Sequence, residues 1–225
     1  MVAKAPRQLR NALKSQTAVT WSLIATCVII WVLQIFPGSL ITQELAYWPL
    51  KTVDEPWRML TAGFLHSTTS PIHLFFNMYS LWVLGRMLEP IIGPLRFLGL
   101  YLISIFGGSV AALWMLGPVD VIVGASGAIF GLMAAVFVVA RSLRQQTNQL
   151  VGVIAINFLF GFLVPGIAWQ AHLGGLLAGA AVGWVYSITR GARDTAKRRL
   201  LVGAIVLSLI VATVAGSMAM LAKLA

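Results

Sequence analysis

The chain has 225 residues, 59% of them hydrophobic and only 10% charged, with a mean hydropathy of +0.90. A soluble domain carries roughly 25% charged residues, so this composition excludes an ordinary soluble globule and points to a polytopic membrane protein. The net charge of +10 would suit a nucleic-acid partner, but its placement along the chain argues for membrane orientation instead.

The opening basic stretch, Lys4, Arg7, Arg10 and Lys14, leads into an apolar run too long for a cleavable signal, and no small-residue cleavage site is evident. A bilayer-crossing helix needs about 20 mainly apolar residues. Seven segments are expected to span: 18–40, 72–92, 97–116, 121–140, 148–164, 168–189 and 200–222. Cys27, the single cysteine, lies within the first, so no intrachain disulfide forms. The stretch 41–71 is polar and aromatic, with Trp48, Trp57, His66 and Pro71, and reads as an interfacial loop rather than a domain. The other connections are short.

With a cytoplasmic N-terminus, the inside segments hold Lys4, Arg7, Arg10, Lys14, Arg86, Arg96, Arg141, Arg144, Arg190, Arg193, Lys197, Arg198 and Arg199. Only Lys51, Arg58 and Lys223 fall outside. This is the positive-inside pattern. The chain divides into a basic cytoplasmic stretch 1–17, a six-span core 18–189 containing the 41–71 loop, and a segment 190–225 with a basic loop and a seventh span.

In that orientation spans two, four and six run from outside to inside. His73 begins the second, Ser126 the fourth and His172 the sixth. If the backbone is helical from Asp120 onward, Ser126 lies about 9 Å below that residue, and His172 sits seven residues beyond Pro165. Matched depth is what a serine–histidine pair on two neighbouring helices requires.

An ionisable group inside a span is costly and by default marks a functional site. A serine hydroxyl is a weak nucleophile until a base takes its proton, and His172 has a suitable unperturbed pKa. The acids are Glu44, Asp54, Glu55, Glu89, Asp120 and Asp194. None lies deep in a span near His172, so the available arrangement is a Ser126–His172 dyad. Phe130, four residues after Ser126 and on the same helical face, is placed to orient the imidazole by packing. His73 and Asn77, spaced i and i+4, and the Ser126 backbone N–H are candidate donors to an oxyanion. Gly124 and Gly127 leave room for a substrate backbone.

Each element also has a plainer meaning. Small residues in membrane helices usually mark close packing, which is the better account of Gly175 and Gly179. His73 and Asn77 would serve as interhelical hydrogen-bonding groups. Glu89 reads as a cytoplasmic ion pair with Arg86, and His66 as a structural loop residue.

Taken together the motifs resemble those of the rhomboid intramembrane serine proteases. The match runs from Trp57-Arg58, through His73-x-x-x-Asn77 and Gly85-x-x-x-Glu89, to Gly124-x-Ser126-Gly127 and Ala171-His172-x-x-Gly175-x-x-x-Gly179. The resemblance implies an all-α polytopic membrane protein. A six-helix core would hold a Ser126–His172 dyad in a water-filled cavity open to the outer face, and a seventh helix would be added at the C-terminal end. It implies His73, Asn77 and the Ser126 N–H as the oxyanion hole, with Gly124, Gly127, Phe130 and Gly175 in support. The fifth span and the loop at Pro165 would act as the gate. Phe130 departs from a tyrosine often found there. The implied substrates are transmembrane proteins, cut without cofactor or metal, in the bilayer of what would be a bacterial plasma membrane. Nucleic acid is not expected as a partner.

The alternative is an inactive rhomboid-like protein that binds transmembrane clients. A transporter would show inverted repeats or span-embedded acids, a zinc protease His-Glu-x-x-His and an aspartyl protease two intramembrane acids. None of these is present in the sequence.

Overall fold

The computed structural model describes residues 17–164, 166–189 and 194–224. The expectations placed on Lys4, Arg7, Arg10, Lys14, Pro165, Arg190 and Arg193 lie outside the described residues. Among the described residues, nine α-helices follow in order: α1 (Ala18–Gln34), α2 (Ile41–Leu45), α3 (Arg58–Thr61), α4 (Pro71–Ile92), α5 (Pro94–Met115), α6 (Ser126–Ser142), α7 (Asn148–Leu163), α8 (Trp169–Ile188) and α9 (Thr195–Leu224). The chain is thus an all-α polytopic membrane protein, with a six-helix core and a C-terminal seventh long helix. By length and hydropathy α5, α8 and α9 can cross a bilayer, and α1, α6 and α7 are apolar but shorter. Large apolar side chains such as Ile29, Phe75, Leu159 and Leu207 face outward, as a lipid-facing surface demands.

Helices α5, α6 and α8 form the centre of the bundle, and small residues let their backbones meet. A Cβ on Gly175 would lie 2.0 Å from the Gly127 carbonyl oxygen, and one on Gly179 would lie 2.2 Å from that of Gly131. Gly174 meets the Gly107 carbonyl in the same way, at 2.2 Å. The Gly175-x-x-x-Gly179 patch is therefore a packing seam between α8 and α6, as its spacing suggests. Helix α7 is held much less: Gly161 is its one buried residue. Helix α9 lies against α5 and α8 and buries only Arg198 and Gly216.

Three expectations change. The first span ends at Gln34, not residue 40, where Pro37 and Gly38 turn the chain. The fourth does not start at 121, and Ser126 is not six residues into it, because 120–125 is not helical. Ile122 and Tyr47 exchange backbone bonds at 2.7 and 3.2 Å, and Gly124 N–H donates to the Ala62 carbonyl at 3.0 Å. The apolar Val121-Ile122-Val123 run thus spends its backbone groups on the 41–71 loop instead of a helix. Glu89 does not pair with Arg86. Its buried carboxylate accepts from Val19 N–H at 2.9 Å, Thr20 N–H at 2.8 Å and the Thr20 hydroxyl at 2.6 Å, satisfying donors that a helix start leaves open. A Cβ on Gly85 would lie 2.2 Å from that same hydroxyl, so both ends of Gly85-x-x-x-Glu89 receive Thr20. Arg86 instead lies over the Trp82 ring, 4.8 Å from its centroid.

The 41–71 loop is ordered around Arg58, which is 3% exposed. Its guanidinium donates to the carbonyls of Gln43 at 2.6 Å and Ala46 at 3.0 Å, pairs with Glu55, and lies over the Trp48 ring. Hydrogen bonds from Lys51, then Arg58, hold the Glu55 carboxyl below its usual range. Pro71 opens α4 at its first position, where a missing N–H costs nothing.

Candidate active site

Three helix starts converge on one cavity. His73 is in the first turn of α4, Ser126 is the first residue of α6, and His172 is in the first turn of α8. The cavity has a volume of about 970 Å³. It is lined by residues of the loop, α4, α6, α7 and α8, including His66, His73, Asn77, Ser126 and His172.

Ser126 Oγ lies 2.8 Å from His172 Nε2. For Nε2 to accept the hydroxyl proton it must be the bare nitrogen, so Nδ1 carries the hydrogen. Among the described residues Nδ1 is buried without a hydrogen-bond partner, and no carboxylate there meets it. What orients the ring is packing. Phe130 stacks on it with centroids 4.4 Å apart and planes 18° from parallel, as the i, i+4 spacing from Ser126 anticipates. On the Nδ1 side the bare backbone of Gly161 closes in, where a Cβ would lie 2.7 Å away.

Gly124, two residues before Ser126, has φ +133, a backbone state that side-chain-bearing residues rarely adopt. A Cβ there would also lie 3.1 Å from His73 Nε2 and 3.7 Å from Ser126 Oγ. Gly124 therefore keeps open the space between the serine and His73. The Gly127 vacancy is used differently: it faces the Ala171 carbonyl, 3.3 Å from a notional Cβ, and serves helix packing. Gly175 lies in the same α6–α8 seam.

His73 Nδ1 accepts a hydrogen bond from Ser67 N–H at 3.3 Å, which leaves Nε2 to carry the proton. Asn77 is 6% exposed and donates one amide hydrogen to the His73 carbonyl at 2.7 Å, with its other amide hydrogen still to be placed. The Ser126 N–H is the first of α6 and has no intrahelical acceptor. His73, Asn77 and Ser126, which carry these donors, all line the same cavity.

Two features escape sequence reasoning. His66 is the loop residue expected, but its place beside His73 is not legible in the sequence. It is 1% exposed, with its ring 5.3 Å from that of His73. Burial, then the neighbouring His73, pushes its pKa down to about 3. Gly161 is the other: a glycine inside an apolar helix, with no turn to explain it. Aromatic contacts at 6.0 Å (Phe130–Phe158) and 5.4 Å (Phe162–Trp169) join α7 to α6 and α8 beside the site.

The Rhomboid domain family model matches residues 53–189. Rhomboid protease GluP of Bacillus subtilis (strain 168) is 36% identical over 171 residues, which is 71% of this chain and 33% of that protein. RHOMBOID-like protein 6, mitochondrial, of Arabidopsis thaliana is 36% identical over 159 residues, 66% of this chain and 50% of that protein. Rhomboid protease GlpG of Yersinia pestis (strain Pestoides F) is 28% identical over 180 residues, 75% of this chain and 63% of that protein. The chain spans between a third and a half of the length of the first two. With a family match over more than half its residues, covering the cavity and the helices around it, this chain belongs to the rhomboid family.

Proposed function

We propose that the protein is an intramembrane serine endopeptidase that cleaves transmembrane protein substrates by a Ser126–His172 dyad. The observation that carries this reading is the 2.8 Å contact between Ser126 Oγ and His172 Nε2 at the edge of a cavity large enough for a peptide segment. The hydroxyl oxygen attacks the scissile carbonyl carbon as its proton passes to Nε2. The resulting oxyanion takes hydrogen bonds from the Ser126 N–H, His73 Nε2–H and the Asn77 amide. Collapse breaks the C–N bond, and the amine leaves with the proton from Nε2. Water then hydrolyses the acyl-enzyme by the same steps, with Nε2 as base. Phe130 takes over the orienting role that a buried carboxylate has in a triad.

The positive-inside pattern puts the N-terminus in the cytoplasm and the cavity toward the outer face, and a bacterial plasma membrane is the proposed setting. A substrate helix must expose its scissile backbone, whose hydrogen bonds lipid otherwise preserves, so segments with helix-weakening residues are the expected substrates. Helix α7, the least buried of those around the cavity, is the proposed gate.

The test is cleavage of a transmembrane reporter in proteoliposomes by the native protein, Ser126→Ala and His172→Ala. Cleavage by the native protein and by neither variant supports the dyad. Cleavage by the variants at native rate overturns it. A native protein that neither cuts the reporter nor labels at Ser126 with a fluorophosphonate is instead an inactive client-binding relative.

A further inference from the structure

Rhomboid-type chemistry at this site, which is the reading proposed above, needs His73 to present a hydrogen at Nε2. Neutral imidazole has two tautomers, and in water neither is fixed strongly; the partner of one nitrogen decides the state of the other. Here that partner is a single peptide unit, His66–Ser67. Its N–H end donates to His73 Nδ1 at 3.3 Å. Its carbonyl end, the His66 oxygen, accepts from Gln34 Nε2 at 3.1 Å. Because the peptide is planar, holding the carbonyl sets the direction of the N–H.

Gln34 does more than touch this unit. Its Oε1 accepts from His66 N–H at 3.0 Å, and its Nε2 also reaches Thr42 Oγ1 at 2.9 Å. Three residues earlier, on the same face of α1, Trp31 Nε1 donates to the Ser67 carbonyl at 3.0 Å. The His66 N–H, His66 carbonyl and Ser67 carbonyl are thus all held by two side chains from the last turn of α1. A primary amide 6% exposed at the end of an apolar helix is costly unless its groups are satisfied, and its donors and acceptor go to the loop. The His66 ring fills the space beside His73, 5.3 Å between centroids.

We infer that Gln34 and Trp31 are positioning residues that act through the His66–Ser67 peptide to hold His73 in the tautomer with its hydrogen on Nε2, facing the space beside Ser126. Neither side chain lines the cavity, so neither touches substrate. Their effect on the reaction is through His73 alone.

The experiment uses the full chain labelled with ¹⁵N in the histidine rings. The sequence has three histidines, so His73→Ala and His172→Ala assign the spectrum. In the native protein His73 should show a bare Nδ1 and a protonated Nε2. Gln34→Met, similar in shape but unable to hold the peptide, should move His73 toward a mixture of tautomers. It should also lower kcat about tenfold with KM unchanged, a part of the 10²–10³ that removal of an oxyanion donor costs. Trp31→Phe, which removes only the indole N–H, should give a smaller change in the same direction and keeps the test open if Gln34→Met does not fold. A native His73 protonated on Nδ1, or a native-like His73 signal in both variants, overturns the inference. In the latter case lowered thermal stability would show two loop anchors and nothing more. The ring spectra need no proteolysis, so failure of the protease reading would appear separately, as a native protein with the expected tautomer and no cleavage.

Discussion

Substituting Gly161 with alanine tests whether packing alone orients the base. The new Cβ would sit 2.7 Å from His172 Nδ1 and 3.1 Å from Cε1. Ordinary contact begins at 3.4 Å, so about 0.7 Å of relief is needed, less than the roughly 1 Å misplacement that weakens catalysis about 10²-fold. The imidazole is a flat ring already laid against Phe130, so it moves as a body. Moving the ring off its place against α7 disturbs the length and line of the 2.8 Å contact between Nε2 and Ser126 Oγ, on which proton transfer depends. The expected loss is therefore smaller, about tenfold in kcat, or about 1.4 kcal/mol of barrier, with KM little changed. The assay is steady-state cleavage of a transmembrane reporter in proteoliposomes, with Gly152→Ala as control. Gly152 is on the same helix, and a Cβ there meets nothing within 4 Å. It should gain about 1 kcal/mol of helix propensity and keep native turnover. If Gly161→Ala turns over at the native rate, α7 yields in place of the ring, and the base is not held in the way argued.

Two further substitutions probe the scaffold. Gly175→Ala would drive a methyl to 2.0 Å from the Gly127 carbonyl oxygen. Backbone cannot rotate aside, so the cost should reach about 3 kcal/mol, the upper end of overpacking effects, read as a lowered thermal midpoint in detergent. Glu89→Ala leaves the part-buried Val19 N–H and the buried Thr20 donors without their acceptor, at about 1–3 kcal/mol for each buried unsatisfied group. Its thermal midpoint should fall while the folded fraction still labels at Ser126 with a fluorophosphonate, because Glu89 is 16 residues, about 24 Å, along α4 from His73.

What the sequence reveals follows the range of the forces involved. Helix existence, the packing role of Gly175 and Gly179, and the shared helix face of Ser126 and Phe130 are matters of local period, and spacing alone exposes them. The start of α6 is hidden because Val121-Ile122-Val123 is as apolar as a helix. Its extended form depends on Tyr47 and Ala62, far back in the chain. Glu89 invites pairing with Arg86 because they are neighbours on one helix, whereas its true partners are backbone N–H groups about 70 positions away. The hold of Gln34 on the His66–Ser67 peptide is unreadable for a similar reason: the atoms it binds belong to the main chain, which every residue has. The 2.8 Å approach of Ser126 and His172 required the knowledge that α6 and α8 are neighbours, and only the motif resemblance suggested it.

The glycine seam between α6 and α8 has one more consequence. Two helices whose main chains touch directly over successive turns have no side-chain layer in which to slide, so they behave as a single stiff strut. Ser126 stands at the head of one and His172 at the head of the other. The separation of Ser126 and His172 is then a constant of the fold and not a coordinate that opens and closes. For the proposed dyad, control then falls on what reaches the pair, since the pair itself has no resting form to leave.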